Sequence, residues 1–229
     1  DYVYYNEDIY VGYRYFETFA KDKVLYPFGF GLGYTTFETA TIDVKNNLET
    51  VTLEIKTKNI GELSGKNVLQ VYVESPTGKL GKASRVLCGF EKTKKLSPGE
   101  EDIVKIDIPF YSFASYDDSG ITGFKDAYVL EKGTYNIYVG ENVRSAKKAH
   151  NFLIEKTYIL QQLKEVCAPI QQFDILGKDG EITSVATSKT NLKEVILNNL
   201  PADYGYNGDL GITLNDVASG KETMEKFIS

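Results

Sequence analysis

Between residues 38 and 155, apolar side chains recur at every second position in short runs separated by turn residues. The stretch "VTLEIKTKN" sets the pattern: Val51, Leu53 and Ile55 alternate with Thr52, Glu54 and Lys56. Successive side chains of an extended chain point to opposite faces, so this spacing predicts a strand with one buried face. Leu69, Val71 and Val73 repeat the phase, as do Val104, Ile106 and Ile108, and then Tyr135, Ile137 and Val139. "RVLCGFEK" and "NFLIEK" supply two further strand candidates. The intervening "IGELSGK", "SPTGKLG" and "LSPGEE" hold the Gly and Pro residues that interrupt strands, with Pro98-Gly99 as a compact turn signal. Many short strands, frequent turns and no helical crossover predict an all-β sandwich or barrel and argue against a parallel α/β sheet.

The flanks differ. Residues 1–37 are crowded with aromatics, in "NEDIYVGYRYFETF" and then "YPFGFGLGYTTFE". Large rings in irregular backbone suit a strap that buries area between two bodies; a sugar-stacking platform is the second reading. After residue 156 the spacing of Ile159, Leu160, Leu163, Val166 and Cys167 predicts a helix, capped by Thr157 and limited by Pro169. "DILGKDGEITSV" predicts a small hairpin around Asp179-Gly180. "TNLKEVILNNLP" predicts a second short helix, and "SGKETMEKFIS" the start of another that is cut off at Phe227 and Ile228. The opening Asp1-Tyr2-Val3, without Met, reads as a processed or cut end.

Bulk properties narrow the function. A net charge of -6 lacks the basic footprint of a nucleic-acid binder. No apolar run reaches the roughly 20 residues needed to span a bilayer, and no signal peptide is visible. Neither nucleic acid nor a membrane is therefore expected as a partner. Cys88 and Cys167 lie far apart without CxxC-like spacing, and His150 is the single histidine. No metal or other cofactor is expected. Two free thiols favour a reducing compartment, hence the cytoplasm.

Four stretches carry a resemblance. "NEDIYVGYRYFETF" with "YPFGFGLGYTTF" resembles a linker of glycoside hydrolase family 3. "GKNVLQVYVESP" is similar to the strand in which that family's fibronectin type III-like domain places a Gln two residues before a Tyr, here Gln70 and Tyr72. "LCGFEKTKKLSPGEE" resembles its next signature, at Leu87, Gly89, Phe90, Lys92, Leu96, Pro98, Gly99 and Glu100. "KGTYNIYVGEN" resembles its closing strand, at Gly133, Tyr135, Val139 and Gly140. Cys88 departs from the commoner polar choice. The resemblance implies a fibronectin type III-like (immunoglobulin-like) antiparallel β-sandwich over residues 38–155. An aromatic crossover from an α/β sandwich domain would occupy residues 1–37. The tail "LPADYGYNGDLGITLNDVASGKETMEKFIS" also resembles the linker of family members with reversed domain order, so a partly helical linker toward a (β/α)8 barrel would occupy residues 156–229.

The family retains configuration with two carboxyl groups about 5 Å apart. The resemblance implies that its nucleophilic Asp lies in the barrel, in a motif with a neighbouring Trp, and its acid/base Glu in the α/β sandwich. This sequence has no Trp and no such motif. No catalytic residue is therefore assigned to it. Asp117-Asp118 reads as a turn pair, and Glu7-Asp8 as carboxylates bonded to crossover backbone. His150 reads as a strand-edge residue, and Gly29 to Gly33 lack the Lys of a phosphate loop. The implied role is structural: holding the catalytic domains of a β-glucosidase in register, with those domains as partners and self-association through the crossover as an expectation. The alternative is a free-standing β-sandwich module that binds carbohydrate or protein.

Overall fold

A computed structural model describes residues 3–47, 49–165, 169, 171–185, 214–223 and 226. Its strands are β1 (Phe37–Asn46), β2 (Thr50–Asn59), β3 (Val68–Glu74), β4 (Val86–Lys92), β5 (Glu101–Pro109), β6 (Ser115–Asp117), β7 (Ala127–Leu130), β8 (Gly133–Gly140), β9 (Lys147–Ile154), β10 (Tyr158–Gln162), β11 (Asp174–Leu176) and β12 (Ile182–Ser184). Helix α1 covers Tyr13–Phe19 and α2 covers Leu214–Ala218. The chain divides into two compact units, Asp1–Thr190 and Asn191–Ser229. Within the second, α2 is the helix among the described residues.

Two antiparallel sheets face each other, in the orders β1-β2-β5 and β4-β3-β8-β9. The alternation read in the sequence is the alternation observed. Val51, Leu53 and Ile55 of β2 and Val104, Ile106 and Ile108 of β5 are buried against Leu69, Val71, Val73, Tyr135, Ile137 and Val139 of the opposite sheet. Buried aliphatic side chains of this size each contribute about 1.5–3 kcal/mol through removal from water. Phe110, Phe113 and Tyr135 close one end of the core around Phe152, whose ring stacks on Tyr135 at 5.2 Å.

The motif glycines have packing reasons. A Cβ on Gly89 of β4 would lie 3.2 Å from both Ile106 and Ile108 of β5. Gly89 thus lets β4 come close to the facing sheet. Gly99 has φ +80 in the turn where Glu100 N–H donates to Ser97 O at 2.9 Å. Pro followed by a positive-φ Gly at the centre of a four-residue turn is the type II arrangement.

Two expectations fail. Residues 158–162 form strand β10, not a helix, and pair with β7 from Tyr158↔Leu130 to Gln162↔Ala127. The apolar spacing from Ile159 to Cys167 covers only about two and a half helical turns, too few to hold a helix without tertiary support. β7 pairs with β6 on its other side, so its remaining backbone groups find their partners in β10. The crossover also holds regular structure: α1 and a 3-10 turn at Lys21–Lys23. The hairpin at Asp179-Gly180 is present as β11 and β12, with Gly180 at φ +81. The helix expected at residues 190–201 lies outside the described residues, as do residues 224, 225 and 227–229 of the one expected at 219–229; residues 219–222 are turn and bend.

Candidate docking surface

Strand β3 is buried on both faces, a consequence that alternation alone does not give. Leu69, Val71 and Val73 enter the core, while Gln70 and Tyr72 point outward and are still buried. The crossover covers them. Tyr72 packs with Tyr13, Leu87, Tyr138, Val143 and Ala146. Burial pushes its phenol well above the usual tyrosine range.

Gln70 organises this face. Its Nε2 donates to Glu141 O at 2.5 Å and to Gly29 O at 3.3 Å, and its Oε1 accepts from the Tyr72 hydroxyl. Gly29 has φ +83, and a Cβ there would lie 2.2 Å from Gln70 Oε1. The glycine of "PFGFGLG" at position 29 therefore serves close backbone approach. Phe28 O accepts from Val143 N–H at 3.0 Å, and the Phe28 ring stacks on Tyr13 at 4.1 Å. The Tyr13 hydroxyl accepts from Leu87 N–H at 2.9 Å.

Helix α1 is clamped by the β8–β9 loop. Arg144 Nε bonds Glu17 Oε1 at 2.8 Å, and its Nη2 donates to Lys21 O at 2.8 Å. The Glu17 side chain is 4% exposed and that of Arg144 32%, so the pair is shielded from water and salt on its carboxylate side. Ser84 adds two bonds: its Oγ donates to Glu17 O and its N–H donates to Thr18 Oγ1. Neither Arg144 nor Glu17 is singled out by the sequence. A single carboxylate within the aromatic run "YRYFETF" is the one signal that could have found the clamp.

Beyond these anchors the same segment leaves apolar side chains in the open. Leu25, Leu32 and Tyr34 are 92, 93 and 94% exposed, and Tyr5 and Tyr26 are also largely free. One part of the crossover belongs to the sandwich, and the other presents an apolar surface.

The residues weighed for chemistry are dispersed. Asp117 is buried and accepts from the N–H groups of Gly120, Ile121 and Thr122 and from the hydroxyls of Ser119 and Thr122. It holds a turn together. Asp8 has φ 50 and its carboxyl bonds the Ile9 N–H; burial and the facing Asp118 raise its pKa. His150 lies on β9, the edge strand of its sheet, opposite Ile137. Cys88 is a free thiol whose Sγ donates to Val71 O at 3.3 Å, and burial pushes its pKa up to about 12. Cys167 lies outside the described residues.

Residues 67–143 match the family model of the fibronectin type III-like domain. A β-glucosidase of Ruminococcus albus is 49% identical over 228 residues, 98% of this chain and 24% of its own length. β-Glucosidase A of Butyrivibrio fibrisolvens is 41% identical over 187 residues, 74% of this chain and 22% of its own. The solved structure of a β-glucosidase from Paenibacillus barengoltzii superposes with a TM-score of 0.81 at 41% identity, covering 98% of this chain and 26% of that one. The chain belongs to glycoside hydrolase family 3. It contains that family's fibronectin type III-like domain and spans about a quarter of the length of the relatives it matches. The Gln70–Tyr72 pair, Gly89 and the Pro98-Gly99 turn, which carried the resemblance in the sequence, are the crossover latch, the close sheet contact and the type II turn of this family 3 domain.

Proposed function

We propose that this chain is the scaffold segment of a family 3 β-glucosidase, holding two catalytic domains in register while supplying no catalytic group itself. The observation that carries the reading is the divided crossover. Gln70 and Arg144 fix one part of it to the sandwich, while Leu25, Leu32 and Tyr34 remain exposed for a neighbour. In this reading residues 1–37 enter from an α/β sandwich domain, residues 38–155 are the fibronectin type III-like domain, and residues 156–229 lead to a (β/α)8 barrel. Two relatives match 98% of the chain, so in those enzymes the tail belongs to the same polypeptide as the sandwich. The exposed aromatics dock against the catalytic domains, or against a second copy when those are missing.

The two carboxyl groups of a retaining mechanism then belong to the neighbouring domains. The whole enzyme would hydrolyse β-glucosides through a covalent glycosyl-enzyme intermediate. A free, half-buried Cys88 is compatible with a reducing compartment such as the cytoplasm. No helix among the described residues is long and apolar enough to cross a membrane. The test is direct: the purified 229-residue chain, free of host glucosidase, should release no nitrophenol from an aryl β-glucoside. Turnover that co-purifies with the chain would overturn the scaffold reading.

A further inference from the structure

A cleft of about 520 Å3 lies between the crossover and the small sheet β6-β7-β10, and the scaffold role does not use it. Asp8 and Arg14 line it from the crossover, Tyr116 and Asp118 from β6 and its turn, and Tyr128 from β7. Tyr116 and Tyr128 are directly opposite in the β6–β7 ladder, so their side chains share one face. Their rings lie 5.3 Å apart, tilted by 53° to each other, and Tyr111, just outside the cleft lining, lies 4.8 Å from Tyr128 at 49°. Tyr111 and Tyr116 are exposed at 46% and 38%.

The rim is charged, and part of that charge is unspent. Among the described residues, neither the Arg14 guanidinium nor the Asp118 carboxylate enters an ion pair or a side-chain hydrogen bond. Lys82, which also lines the cleft, is already committed to Glu131 at 2.7 Å. Two carboxylates, one available guanidinium and a wall of two tilted tyrosine rings disfavour an anion and leave a polyhydroxylated neutral ligand as the match. A gluco-configured pyranose in β linkage carries axial C–H bonds on its faces and hydroxyls around its equator. The faces suit aromatic rings, and neighbouring hydroxyls suit a carboxylate or the fork of an Arg. The cleft volume is within the usual range for small-ligand sites, about 300–1,000 Å3.

We propose that this cleft is a non-catalytic saccharide site that takes a neutral β-1,4-linked gluco-oligosaccharide, with the Tyr116 and Tyr128 rings each against the apolar face of a sugar unit and Arg14, Asp8 and Asp118 on its hydroxyls. The inference goes beyond the scaffold role and does not rest on it, because every contact lies within this chain. The experiment is calorimetric titration of the 229-residue chain with cellotetraose, with tri-galacturonate as an acidic control. Cellotetraose should bind, tri-galacturonate should not, and Tyr116→Ala and Arg14→Gln should each weaken binding about tenfold, as removal of a central contact does. Thermal melts verify that the variants fold, and Asp118→Asn, in an exposed turn, replaces either one that does not. No binding at the solubility limit of cellotetraose, or binding unchanged in the folded variants, overturns the proposal. So does equal binding of the acidic control.

Discussion

Gln70 joins three parts of the chain that are remote in sequence: Gly29, Tyr72 and Glu141. Gln70→Ala would strand two carbonyls and a buried phenol hydroxyl. Unmade hydrogen bonds of this kind cost about 1–3 kcal/mol each, so a urea melt should show a loss of about 2 kcal/mol or more. Gln70→Glu should also destabilise, because a carboxylate cannot donate to the Gly29 and Glu141 carbonyls. The sequence makes Gln70 and Tyr72 visible as a pair but hides Gly29, whose contact depends on how the crossover folds back over β3. Cys88 gives a chemical test of local burial. With its pKa pushed up to about 12, the thiol stays protonated at pH 8. Iodoacetamide should therefore label it slowly in the native chain and rapidly in urea, as peptide mass mapping would report.

Elements with one solvated face are the ones that alternation predicts well: β2, β5 and β8 each show it in sequence and in burial. β3 does not, because the crossover buries its second face. β10 is misread for a related reason, since a partner strand, not the local spacing, decides its conformation. The small β6-β7-β10 sheet depends on the Asp117 turn. Burial alone would raise the Asp117 carboxyl, but the bonds from Thr122, Gly120 and Ser119 outweigh it and hold its pKa below the usual range. A carboxyl whose folded pKa is depressed contributes stability above its unfolded value, near 3.9, and loses it as pH falls through the folded value. Melting temperature should thus fall below about pH 4 by a component that Asp117→Asn removes. In the core itself, Val71→Asp places an unpaired charge between the sheets, at a position with 0% exposure, and should prevent folding as followed by circular dichroism.

For the whole molecule, the divided crossover predicts a divided exchange pattern. Amides of residues 13–19, clamped through Glu17 and Arg144, should exchange slowly in the chain alone. Those of residues 31–34 should exchange fast alone and slowly in the complete enzyme, measured by hydrogen exchange and mass spectrometry; equal fast exchange in both would remove the docking role. The proposed docking surface was legible in the sequence only as an excess of aromatics, since composition hints at buried area without saying against what. The doubly covered β3 also sets what can be inherited or transplanted as a working unit. Residues 67–143 define the recognisable module, yet a graft cut there, or at residue 38, would leave Tyr72 and Gln70 without Tyr13 and Gly29. Recombination between related enzymes should therefore succeed when the crossover from about Tyr10 onward travels with the sandwich, and yield insoluble chimeras when the two come from different parents.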